Sequence, residues 1–189
     1  MRPSPARSTF LLLLVAAATL GVASCDAGAP DGTPPITPGT SASPREINIV
    51  ARDYAFVPSV VDLVPGETVL LHVVNAGLET HEAIIGDLGD QLAWESAEGA
   101  TVGSPPGPTP FVAPPQGFRG VRVVVGSGQR VDVTWTVPAD AASAAAGWFV
   151  GCHIPGHWQK GMVVAVRFVD AAGVPLASPP ALPVPSPGG

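Results

Sequence analysis

Residues 130–137 alternate strictly, with Val131, Val133, Trp135 and Val137 on one face and Asp132, Thr134 and Thr136 on the other. A period of two with one apolar face marks a half-buried antiparallel strand. Thr68–Asn75 carries an apolar face through Val69, Leu71 and Val73 and a mixed face that includes His72. Residues 47–50 and 60–63 have strand composition, and Pro65-Gly66-Glu67 marks a turn. Residues 121–125 lead through Gly126-Ser127-Gly128-Gln129 into the alternating run, which reads as a β-hairpin. Residues 148–151 and 163–169 add further strands, with an alanine-rich helical turn over 139–147 before them. About seven or eight short strands with turn signals predict an all-β fold, a Greek-key β-sandwich over residues 45–170.

Outside these runs the pattern breaks down. Residues 87–120 contain proline clusters at 104–110 and 113–115 that exclude a central strand, and only 91–97 suits a short helix. So long a loop inside a compact domain is usually functional or mobile. Residues 26–44 are rich in Pro, Gly, Ser, Thr and Ala without a periodic apolar face, and are expected to be a disordered linker. Residues 171–189, with Pro175, Pro179, Pro180, Pro183, Pro185 and Pro187, are expected to be a disordered tail. Residues 1–25 read as an export signal: Arg2 and Arg7 precede an apolar stretch from Phe10 to about Ala23, too short for a comfortable span. Its end, Leu20-Gly21-Val22-Ala23-Ser24-Cys25, resembles the lipobox of bacterial lipoproteins, which implies lipidation of Cys25 and a membrane anchor at the mature N-terminus.

Charge narrows the partners. The formal net charge is −6 and Lys160 is the only lysine, so there is no nucleic-acid footprint, and an acidic surface favours neutral or basic partners. A disulfide between Cys25 and Cys152 would pin the linker to the domain and remove a thiolate, and is not expected.

The candidate chemistry lies in residues 152–162. Cys152, His157 and Met162 are spaced C-x4-H-x4-M where one apolar strand ends and the next begins. Thiolate and thioether suit copper(I), imidazole suits both copper oxidation states, and His2Cys with a long axial Met is the blue-copper geometry. A second imidazole must come from elsewhere. His153 is adjacent to Cys152 and points to the opposite face of an extended strand, which leaves His72 and His81.

This loop resembles that of the cupredoxins, the plastocyanin and azurin family, with a spacing most like rusticyanin and auracyanin and with Pro155-Gly156-His157 also matching. The resemblance covers roughly residues 45–170 and implies the same sandwich. The segment 75–86 looks like the family's first-histidine segment, so the resemblance implies His81 as the fourth ligand beside Cys152, His157 and Met162. It further implies that His157 reaches the surface through an apolar patch, which Trp158 would enlarge if it is an exposed rim residue and not a packing residue beside His157. One departure is Glu82, which stands where plastocyanin and azurin have an Asn tying the two ligand loops together. The loop also looks like the type 1 loop of multicopper oxidases, but Gly151 precedes Cys152 and four His cannot supply a trinuclear cluster. His153 is therefore expected at the surface or just behind the ligands.

These readings converge on a non-enzymatic protein with one type 1 copper ion. It would carry single electrons between redox partner proteins, as a monomer held at the outer side of the cytoplasmic membrane by its lipid, or free in a periplasmic or extracellular space. The rival is a copper-delivery or sensor module, but delivery calls for an open Met- or His-rich site, and Met1 and Met162 are the only methionines.

Overall fold

The computed structural model describes residues 34–101 and 112–184. Nine strands occur among them: β1 (Arg45–Arg52), β2 (Ala55–Val57), β3 (Val60–Leu63), β4 (Thr68–Asn75), β5 (His81–Asp87), β6 (Val121–Val125), β7 (Arg130–Thr136), β8 (Trp148–Gly151) and β9 (Val163–Phe168). One sheet runs β2-β1-β4-β7 and the other β3-β9-β8-β5-β6. The β1–β4 and β3–β9 pairs are parallel and the remaining pairs antiparallel. This is the β-sandwich expected from the alternation. Ile49, Leu71 and Val73 from one sheet and Ile85, Val125 and Val150 from the other lie in one buried cluster. Each such side chain is worth about 1.5–3 kcal/mol on burial.

Two local expectations are corrected. Residues 121–137 do not form a hairpin, because β6 pairs with β5 in one sheet while β7 pairs with β4 in the other. Both strands have a single inward apolar face, and that pattern says which side is buried without saying which sheet the strand joins. The intervening turn crosses the sandwich and is tied to the end of β4, where Asn75 donates to Gln129 O and Gly128 donates to Asn75 O. The second correction concerns 87–120. Its start forms a helix, α1 (Leu88–Gly99), longer than the 91–97 expected. Asp87 and Asp90 close a capping box in which each side chain accepts from the other's backbone N–H.

The segments next to the sandwich are more ordered than their composition implies. Residues 34–44 lie along it: Ile36 donates to Ala171 O, Thr68 donates to Gly39 O, and Gly39 donates to the buried Glu67 carboxylate. Beyond β9, the Asp170 side chain accepts from the N–H groups of Ala172 and Val174, and Leu176 donates back to Phe168 O. Asp at the head of a turn satisfies the backbone that proline-rich composition leaves unpaired. The expected signal segment with Cys25, residues 26–33 of the linker, the proline cluster at 104–110 and residues 185–189 lie outside the described residues. No helix among the described residues is long and apolar enough to cross a membrane.

Candidate metal centre

The register of two neighbouring strands sets the site. Strand β5 opens on His81, β8 ends at Gly151 just before Cys152, and the two strands pair antiparallel with Ile84 opposite Gly151. The loop from Cys152 then turns back at 154–157, where His157 donates to Ile154 O, and closes on itself as Cys152 donates to Met162 O and Met162 to His157 O. Three side chains meet here. The Cys152 Sγ lies 3.3 Å from His157 Nδ1, and His81 Nδ1 lies 3.2 Å from the same nitrogen. The three potential ligand atoms lie within 4.8 Å of one another, and all three residues are buried. Met162 is fully buried in the same apolar cluster as Cys152.

The outer nitrogens fix the inner ones. His81 Nε2 is 2.9 Å from Asp53 Oδ1, and His157 Nε2 is 2.9 Å from Glu79 Oε2. A carboxylate can only accept, so each Nε2 carries the proton and each Nδ1 turns a lone pair inward. The Leu78 N–H, ahead of His81, holds Asp53 below the usual carboxylate range; the Tyr54 hydroxyl, ahead of His157, does so for Glu79. Burial pushes His157 below its ordinary value. Burial also pushes the Cys152 thiol up to about 12, although the Glu82 N–H donates to Sγ at 3.5 Å.

Two inward lone pairs and one thiol sulfur at 3.2–3.3 Å are an arrangement that a cation resolves. A soft thiolate with two imidazoles is a donor set that fits copper. His81, Cys152 and His157 thus form a possible metal site.

His72 is not brought to it. Its Nδ1 lies 2.8 Å from Asp132 Oδ1 on the paired strand β7, and Arg130 Nη2 reaches the same nitrogen. Glu82 makes a tie between the two ligand loops: its Oε1 accepts from the His153 backbone N–H at 3.0 Å. Its Oε2 accepts from Arg122 Nε, while Arg122 Nη2 donates to Glu98 of α1. One guanidinium between two buried carboxylates is not enough. Burial pushes Glu82 up to about 7, with Arg122 opposing and Glu98 adding to the rise.

Neither His153 nor Trp158 lies at the surface. His153 is buried and stacks on Trp158 with ring centroids 4.5 Å apart. Its Nε2 meets Gln91 Oε1 at 2.7 Å and its Nδ1 meets Glu95 Oε2 at 2.7 Å, both from α1. Gly151 is required beneath this stack, since a Cβ there would sit 2.4 Å from Gln91 Oε1 and 2.7 Å from Trp158. Trp158 is thus packing and not a surface patch. His157 is not open to solvent through an apolar rim either: only 4% of it is exposed, Tyr54 lies edge-on at 5.1 Å, and Lys160 Nζ sits 3.6 Å above the Tyr54 ring.

Asp53, Tyr54, Glu79, Gln91 and Glu95 escaped the sequence reading. Glu79 lies in the segment that drew attention to His81, but nothing in spacing ties Asp53 or Gln91 to a loop many residues away.

Fold and donor set together define a cupredoxin-like β-sandwich with a His2Cys centre. Among solved structures the chain is similar to an auracyanin from Roseiflexus castenholzii, with TM-score 0.50 and 21% identity over 70% of this chain and all of that one. It is similar to auracyanin A of Chloroflexus aurantiacus, described as a "blue" copper protein, with TM-score 0.51 and 21% identity over 67% of this chain and all of that one. It is also similar to an azurin from Methylomonas sp. strain J, with TM-score 0.50 and 14% identity over 67% of this chain and 98% of that one. No protein-family model and no curated protein matches the chain. At these identities the likeness concerns the fold, and the centre rests on its own side chains.

Proposed function

We propose that the chain is a type 1 copper protein that carries single electrons between redox partner proteins and is not an enzyme. The observation that carries this reading is the buried convergence of His81 Nδ1, Cys152 Sγ and His157 Nδ1. Bound copper would supply a one-electron couple. His81, Cys152 and His157 would hold it, and Met162, buried in the same cluster as Cys152, would be a weaker fourth ligand that tunes the potential. His81 opens β5, and the loop that carries Cys152, His157 and Met162 follows β8 and leads into β9, so three paired strands anchor the ligands and limit their movement between oxidation states. Burial keeps water from the ligand atoms. Export directed by residues 1–25 and a lipid on Cys25 would keep the carrier at the outer side of the cytoplasmic membrane.

The rival reading, copper delivery, needs ligands that a recipient can reach, and His81 and Cys152 are both 0% exposed. Reducing the copper-loaded protein beside a copper(I) chelator separates the two. A carrier retains its copper and recovers its spectrum on reoxidation. Loss of copper to the chelator on reduction would instead support delivery.

A further inference from the structure

The mouth of the centre is built from two segments that grip each other. Asp53, in the turn between β1 and β2, accepts from the backbone N–H groups of Leu78 and Glu79. Glu79, between β4 and β5, accepts from the Tyr54 hydroxyl at 2.6 Å, and its own carbonyl accepts from Asn75 Nδ2. Gly77 makes the close approach possible, since a Cβ there would lie 2.2 Å from Asp53 Oδ1. Both carboxylates are thereby aimed at imidazoles, one at each ligand histidine.

Resting on the copper reading above, we propose that Asp53 and Glu79 are positioning residues that set the reduction potential of the centre, each by holding a ligand imidazole through Nε2 with a full negative charge. First, a ligand histidine that donates its other N–H to a carboxylate is fixed in tautomer and ring orientation, and its metal-bound nitrogen becomes more basic. Second, the added electron density and the nearby negative charge favour Cu(II) over Cu(I), because the more highly charged ion gains more from both. Two such pairs act in the same direction, so the potential is held lower than the same ligands would give with neutral partners on Nε2. The same pairs close the outer edge of His157, so Glu79 and Tyr54 stand between that imidazole and whatever approaches this face.

The test uses Glu79→Gln and Asp53→Asn in the copper-loaded chain. Each amide keeps an oxygen to accept from Nε2–H but removes the charge. Glu46→Gln serves as a control, since it removes one exposed carboxylate near His72 instead. Potentials are measured by spectroelectrochemistry and the site is checked by its absorption band. Each of the two variants is expected to retain the band and raise the potential. A tenfold change in the ratio of Cu(II) to Cu(I) affinity would appear as about 59 mV for a one-electron couple. Glu46→Gln is expected to leave the potential unmoved. Glu79 is half exposed and anchors less backbone than Asp53, so its variant carries the test if Asp53→Asn unfolds. An unchanged or lowered potential in Glu79→Gln with the band intact would overturn the proposal alone. A wild-type protein without the band would overturn the copper reading and this proposal together.

Discussion

His72 and His81 are both buried, and their surroundings separate them. His72 spends Nδ1 on Asp132 and Arg130 across the β4–β7 pair, whereas His81 turns Nδ1 toward His157 and the Cys152 sulfur. His81→Ala is therefore expected to abolish the copper-dependent absorption and His72→Ala to keep it, read on the two copper-loaded variants side by side. The opposite pattern would move the site to β4. Glu82 gives the fold a pH dependence. Its carboxyl sits at about 7 in the folded chain against an ordinary value of 4.5, with burial as the main cause. The unfolded chain therefore releases this proton first as pH rises, so the folded state binds more protons between about 4.5 and 7 and stability falls across that window. One unit corresponds to about 1.4 kcal/mol, which makes the Glu82 contribution about 3 kcal/mol. Thermal unfolding of the metal-free protein from pH 4.5 to 8 should show this decline, and Glu82→Gln should flatten it. An unaltered slope in the variant would contradict the buried-carboxylate argument.

Helix α1 shows where element-level reading stops. Its buried residues are Gln91, Trp94 and Glu98, at helical spacing but mostly polar, so no apolar periodicity announces the helix. They are buried because each has specific partners. The Gln91 amide donates to the carbonyls of Ile84, Gly86 and Phe149 while its oxygen meets His153. Glu98 meets Arg122, whose guanidinium also lies 4.9 Å over the Trp94 ring. Strands with one apolar face, such as β4 and β7, were legible from alternation alone. Their sheet partners were not, as β6 shows, because pairing depends on where a turn crosses the sandwich. Three residues of the proposed ligand set were legible because they share one loop with diagnostic spacing. His81 needed a family resemblance, and its Asp53 partner needed the fold. Gln91→Ala is expected to cost at least about 2 kcal/mol, since each buried group left without a partner costs about 1–3 kcal/mol. Leu92→Ala on the exposed face should stay within about 0.5 kcal/mol. Denaturant unfolding of both variants checks the contrast, and equal effects would mean that α1 is held by propensity and not by its buried polar face.

For the whole molecule, the signal-like start and Cys25 lead to a claim about location. If Cys25 carries the proposed lipid, two acyl chains on it would suffice for stable anchoring, so the chain is expected to fractionate with membranes and Cys25→Ala to be released from them with its copper spectrum unchanged. Wild-type protein without lipid by mass spectrometry would make it a freely diffusing carrier. The centre itself has a direct optical signature. Cys152 is the free cysteine among the described residues, and its sulfur lies 3.3 Å from His157 Nδ1, where the two imidazoles meet. The decisive measurement is the visible absorption spectrum of the copper(II)-loaded protein beside that of Cys152→Ser. An intense blue sulfur-to-copper charge-transfer band is expected in the wild type and none in the variant; a colourless wild-type complex, or a band that survives the substitution, would rule out a type 1 centre at Cys152.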